Sequence, residues 1–281
     1  MSSRNEESNI IDTTGYDLDK GTTKQKWKKI LHDWAEDHPL ISNYQPYTIA
    51  ATIIFGLMTL QINIEQYIGL NPSLNYADVM VMIEGNAVTY IQAFANPWLT
   101  YFSAFIYMIG FSVLLIGTFL IFLYKKDAKG LQEFSIAFTL IYLVAYPFYI
   151  LFPVSVTSNT LPNMAPLLYG LDPSIVKIMH ICDPTLDNCF PSLHTALSLM
   201  TMLIVLARTK NYGLKALAVF TTISIQFTIL YLGIHWITDL IGGIMLAFTS
   251  YYIATRYREL IVTRSSKLIT VRFENKDGKR S

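Results

Sequence analysis

Six long apolar runs, separated by shorter polar or charged connections, organise the chain: about 46–64, 98–124, 131–153, 192–208, 214–233 and 237–255. Each is near the roughly 20 residues an α-helix needs to cross a bilayer. Ahead of them the chain is polar. From Thr22 to Trp34, Lys24, Lys26, Lys28 and Lys29 are interleaved with Trp27, Ile30, Leu31 and Trp34 at spacings of three and four. That pattern predicts a basic amphipathic helix on an anionic surface, with a solvated juxtamembrane arm as the alternative. Residues 65–97 are apolar but interrupted by Asp78, Glu84, Gly85, Asn86 and Gln92. Tyr76 to Phe94 reads as one or two helices lying in the interface, with a seventh, poor span as the competing reading. The expected fold is an all-α polytopic membrane bundle: six transmembrane helices plus interfacial helices. Residues 1–43 form a polar arm, 44–256 the transmembrane domain and 257–281 a basic tail.

Composition supports this class. The chain is 52% hydrophobic and 15% charged, against about 25% charged in soluble domains. A net charge of +1 points to no nucleic-acid partner. The polar N-terminus predicts no cleavable signal peptide. Positive charge sets the expected orientation. With six spans, 20 of the 21 basic residues fall on one side, and only Lys177 on the other. Both termini are then cytoplasmic, and the seven-span reading is rejected. The end of the third span, the start of the fourth, and the junction of the fifth and sixth meet on the extracytoplasmic face. The loop 154–191 lies there and holds Cys182 and Cys189, six residues between them. Outside the cytoplasm they could close a disulfide or remain two thiols.

Candidate chemistry gathers at that face. Phe190-Pro191-Ser192-Leu193-His194 and Gly233-Ile234-His235-Trp236-Ile237-Thr238-Asp239 each put a histidine where an apolar run meets a loop. Asp239 follows His235 by four residues, so on a helix the two share a face. A carboxylate there accepts one imidazole N–H and leaves the other ring nitrogen free to attack. Either motif alone reads as a satisfied structural histidine. Together, at membrane depth and on one face, they read as functional. His32 and His38 fall in the arm, and His180 in the outer loop. Two cysteines cannot form a four-thiolate zinc site, and no carboxylate cluster suggests a metal, so no metal and no cofactor are expected.

The order Pro-Ser-x-His, then His-x-x-x-Asp followed by Gly242 and Gly243, resembles the type 2 phosphatidic acid phosphatase superfamily over roughly 130–255. The variant Phe-Pro-Ser-Leu-His is similar to the branch containing inositol phosphorylceramide synthases. The resemblance implies that His235 is a nucleophile that becomes phosphorylated, that His194 protonates the leaving group, and that Asp239 orients His235. The family's first motif, Lys-x6-Arg-Pro, has no counterpart; Tyr146-Pro147 through Phe152-Pro153 stands in its place. Leu193 replaces the usual Gly, and Thr228-Ile229 replaces Ser-Arg. Ser192, Leu193 and Lys177 are the candidate substrate-binding residues. Ser192 offers a hydroxyl at a helix N-terminus, which suits an anion. The expected activity is that of an integral membrane lipid phosphatase or phosphotransferase acting on a lipid phosphoester, without a metal, with membrane lipids around it. The acceptor is water, or an alcohol as in inositol phosphorylceramide synthase-like transfer of a phospho-headgroup. From another class, the bundle is a non-catalytic lipid transporter, which predicts polar residues deep within the spans.

Overall fold

The computed structural model describes residues 75–175, 177 and 186–264. They form α1 (Ala77–Glu84), a 3₁₀ helix (Ala87–Phe94), α2 (Pro97–Tyr124), α3 (Ala128–Leu151), the single turn α4 (Thr157–Thr160), α5 (Leu193–Arg208), α6 (Tyr212–Tyr231) and α7 (Ile237–Arg256). The described residues contain no strand beyond an isolated bridge between Val154 and Asn188. The fold is all-α. The amphipathic stretch Thr22–Trp34, the run at 46–64, Cys182, His180 and the tail beyond Arg264 lie outside the described residues.

Among the described residues four helices, α2, α3, α6 and α7, are long and apolar enough to cross a membrane. They correspond to four of the six expected runs. Polar side chains fix where they start. Asn96, Asp127 and Asn211 each accept an N–H from the first turn of α2, α3 and α6, at 3.0, 2.9 and 3.1 Å. Such caps satisfy amides that the helix itself leaves unpaired. Asp127 is the reason α3 begins at Ala128, ahead of the apolar run expected from 131. Large apolar side chains stand outward on these helices, among them Ile116, Leu120, Leu143, Ile223, Met245 and Phe248. A surface of this kind needs lipid around it, so the protein is an integral membrane protein.

Helix α5 is different. It has 16 residues, about 24 Å of helix, against roughly 30 Å of hydrocarbon core. It lies at the centre of the bundle, packed against α2, α3, α6 and α7. Ala196, Met200 and Ile204 are fully buried along it. Close packing against α7 depends on two glycines. A Cβ on Gly243 would come within 2.7 Å of the Ser192 carbonyl oxygen and Thr195 Cβ. One on Gly242 would lie 2.8 Å from the Phe190 ring. Small residues of this kind let membrane helices approach closely. At the far end of α5, Arg208 pairs with the buried Glu133 of α3, donating through Nε at 2.7 Å and also through Nη2. Arg258, just beyond α7, lies 3.8 Å from the same carboxylate. This ionic junction is 14 residues from His194, about 21 Å along the helix.

The stretch expected to form one or two helices over 76–94 forms two. Gly85, at φ 58°, makes the break between them, a conformation glycine adopts at little cost. Protein contacts hold this stretch. The Tyr76 N–H donates to the Pro153 carbonyl at 2.8 Å. The Gln92 amide donates to the carbonyls of Ala165 and Tyr231, and its oxygen accepts from the Ala165 N–H at 2.8 Å.

Candidate active site

His235 sits in the turn between α6 and α7. Gly233 opens that turn at φ 80°, and a Cβ there would come within 2.9 Å of the Ala165 carbonyl oxygen. Only glycine suits both demands. The N–H groups of Ile234 and His235 return to the Ile229 carbonyl at 3.2 and 3.1 Å. These contacts fix the backbone on which the imidazole stands. His235 is 4% exposed and Asp239 is fully buried. His235 Nδ1 lies 3.2 Å from Asp239 Oδ2, which also accepts the Trp236 N–H at 2.9 Å. A carboxylate acting as acceptor assigns the imidazole proton to Nδ1 and leaves Nε2 with a free lone pair. The Trp236 indole N–H in turn donates to the Ser155 carbonyl at 2.9 Å, tying the turn to the loop after α3.

His194 lies in the first turn of α5, half-buried, with its ring centroid 6.0 Å from that of His235. The two histidines, 41 residues apart in sequence, therefore face one small region between α5 and the α6–α7 turn. Ser192 caps α5, its Oγ accepting the Thr195 N–H at 3.3 Å. The Ser192 N–H donates to the Asp239 carbonyl at 3.2 Å, so the two motifs are joined through the backbone. Ser192 is buried and Leu193 half-buried. Of the residues named from sequence, the structure thus brings together His194, His235, Asp239, Ser192 and Leu193. Lys177 is exposed, and among the described residues it has no recorded ion pair or hydrogen bond with this group. The segment standing where the family's cationic motif would lie contributes Tyr149, whose hydroxyl donates to the Pro191 carbonyl at 2.8 Å. Tyr231 is a packing residue: it is buried, with its hydroxyl 2.9 Å from that of Thr100.

Two features escaped the sequence reading. The first is Glu84. Its carboxylate accepts the N–H groups of Ile237 and Thr238 at 3.1 and 2.8 Å, and the Thr238 hydroxyl at 2.8 Å. It fills the positive end of α7, the helix that carries Asp239. A carboxylate in an apolar stretch was the available signal, because such a group needs a partner. The second is a pair of aromatic rings against His194. Tyr107 and Phe111 have centroids 4.4 and 4.6 Å from its own. No short motif announces them.

Cys189, His235 and Asp239 bring ligand atoms within 4.8 Å of one another, a spacing that metal ligands also show. Here His235 Nδ1 and Asp239 Oδ2 engage each other, and Cys189 Sγ lies 3.5 Å from the Ile234 carbonyl oxygen. The arrangement as it stands is a hydrogen-bonded histidine-carboxylate pair against the wall of the turn.

No curated protein matches the sequence. The fold is similar to that in the crystal structure of Aquifex aeolicus LpxE, with 18% sequence identity, a TM-score of 0.50, and coverage of 62% of this chain and 96% of that one. At that identity the likeness speaks to fold alone. The family model of the PAP2 superfamily matches residues 80–253, a span that includes α2 to α6, both histidines and Asp239. That span is more than half of the sequence, and the chain belongs to the PAP2 superfamily.

Proposed function

We propose that this protein cleaves a lipid phosphoester through a phosphohistidine on His235, at the extracytoplasmic face of the membrane. The observation that carries the reading is the His235–Asp239 pair, 3.2 Å apart, with the His194 ring 6.0 Å from that of His235. His235 Nε2 attacks phosphorus and forms a P–N bond as the ester P–O bond breaks. Protonated His194 gives its proton to the departing alkoxide. Asp239 holds Nδ1–H and stabilises the positive charge that develops on the ring. His194, now neutral, takes a proton from the incoming water or alcohol. That oxygen attacks phosphorus, the P–N bond breaks, and His235 returns to its starting form. General acid help of this kind supplies about 10²–10⁴-fold. The lipid chains lie along the apolar outer faces of the helices.

Phosphate binding rests on the start of α5 in this reading. The first amides of α7 are taken by Glu84. The N-terminus of α5 carries Ser192 and His194, and its dipole adds roughly half a positive charge. Orientation follows the charge distribution. Among the described residues, Lys125, Lys126, Lys129, Arg208, Lys210 and Lys215 stand in the loops or the adjoining helix ends at the end of the bundle remote from the histidines. The positive-inside rule makes that end cytoplasmic.

A second acceptor is favoured by one specific feature. Thr228-Ile229 stands where the phosphatases carry Ser-Arg, and no Arg-Pro dipeptide exists. This departure favours the branch that resembles inositol phosphorylceramide synthases, in which an alcohol takes the phosphoryl headgroup. Purified protein incubated with a labelled lipid phosphate, with and without inositol or a lipid alcohol, tests both. Released phosphate identifies a phosphatase and a labelled ester a transferase. Neither product from any lipid phosphoester would refute the proposal and leave the transporter reading.

A further inference from the structure

We infer that Tyr107 and Phe111 are positioning residues for His194, presented to it by a π turn that contains Tyr107 and ends next to Phe111. The inference rests on His194 acting as the general acid. His235 has Asp239 to orient it. Among the described residues the His194 imidazole has no recorded hydrogen bond, so something else must fix its rotation. Two aromatic rings are in place to do so. Tyr107 stacks on the imidazole at 4.4 Å and 27° between planes, and Phe111 meets it at 4.6 Å and 46°. Tyr107 is buried and Phe111 half-buried.

The local backbone is unusual at this point. Residues Ile106–Gly110 form a π turn inside α2, with the Phe111 N–H bonded to the Ile106 carbonyl. Such a turn inserts a residue into the helix, loosens the regular ladder, and is found disproportionately at functional sites. It re-registers the second half of α2 against the first. The first half is anchored elsewhere, through Asn96 and Thr100 to the Tyr231 hydroxyl. The π turn therefore lets one helix satisfy two fixed contacts: Thr100 on α6, and Tyr107 and Phe111 on His194. The ring faces also suit the chemistry. An imidazole acting as a general acid must be cationic before it donates, and an aromatic face attracts a cation more than an aliphatic wall does.

A positioning role separates from a packing role by leaving group. Proton donation matters for an alkoxide and little for a phenolate that departs unaided. The full chain in detergent, in excess over substrate, is assayed for leaving-group release in a single turnover on an alkyl lipid phosphate and on 4-nitrophenyl phosphate, which reads formation of the phosphohistidine apart from its resolution, with thermal unfolding followed alongside. Tyr107→Leu and Phe111→Leu are expected to lower the single-turnover rate on the alkyl ester by about 10- to 100-fold, part of the contribution a general acid makes. On the aryl ester the loss stays within about 3-fold, and Tyr107→Phe, which keeps the stacked ring, recovers most of the alkyl-ester rate lost in Tyr107→Leu. Phe111→Met, apolar and flexible, gives the same split should a Leu variant fold poorly. Equal losses on both substrates, or none on either, would overturn the inference. His194→Ala is the control. If it too loses both activities equally, the general-acid reading has failed, and that result is distinct from a failure of the clamp.

Discussion

Glu84 and Thr238, 154 residues apart in sequence, meet through two hydrogen bonds of 2.8 Å, one to the backbone N–H and one to the hydroxyl of Thr238. The contact places a carboxylate on the first turn of α7, next to Asp239. Loss of a helix cap costs about 0.5–2 kcal/mol. Glu84→Ala should therefore lower the unfolding temperature and, by loosening the first turn of α7, reduce kcat more than it raises KM. Glu84→Gln keeps an acceptor and should retain most of both. Steady-state kinetics with a parallel melting curve reads the difference. A stability loss with unchanged kcat would make Glu84 a cap and nothing more.

Asp239 is expected to act through His235. Asp239→Asn removes the carboxylate and introduces an amide N–H that can donate to Nδ1, which moves the imidazole proton to Nε2, and an imidazole in the wrong tautomer loses about 10⁴-fold in comparable triads. The change should fall on kcat and spare KM. A loss below 10-fold would mean that the turn alone orients His235.

Gly243 tests the approach of α7 to α5. A methyl at that site meets the Ser192 carbonyl oxygen at 2.7 Å, and backbone cannot swing aside as a side chain would. Gly243→Ala should destabilise by about 1–3 kcal/mol, the usual cost of overpacking, and should disturb the first turn of α5 that carries His194. Gly117→Ala is the control, since a Cβ there meets nothing within 4 Å; there the better helix propensity of alanine makes the change neutral or mildly stabilising. Equal melting temperatures for the two variants would contradict the packing account.

Topology has its own test. A cysteine introduced at Asn163, exposed in the loop after α4, should react with an impermeant thiol reagent added outside intact cells, over the baseline of the unaltered chain. One at Lys126, in the α2–α3 loop, should react only after permeabilisation. The reverse pattern would move the histidines to the cytoplasmic face.

What the sequence disclosed follows from which interactions are local. Apolar runs near the length of a bilayer crossing marked α2, α3, α6 and α7 because lipid imposes that length on any helix it surrounds. The end of α3 at Leu151 rather than Pro153, and its start at Ala128, lay in cap geometry that hydrophobicity does not register. His235 and Asp239 were visible as a pair because one helical turn separates them. His194 was visible only through its motif. Glu84, Tyr107 and Phe111 were not, because their partners lie 154, 87 and 83 residues away. Residue spacing cannot reveal a contact that chain folding alone creates. The π turn in α2 was equally hidden, since Ile106–Gly110 is apolar throughout and reads as ordinary helix. Ser192 was read as a free hydroxyl donor; in the fold its oxygen also caps α5.

In the proposed mechanism His235 carries the phosphoryl group. Rapid quench of the enzyme with a lipid substrate labelled at phosphorus, followed by peptide mapping under alkaline conditions that preserve phosphohistidine, tests it most directly. Label is expected on the peptide containing His235, present in wild type, accumulating in His194→Ala with a good leaving group, and absent in His235→Ala, which has no turnover. Turnover at the wild-type rate in His235→Ala, or label on another residue, would contradict it.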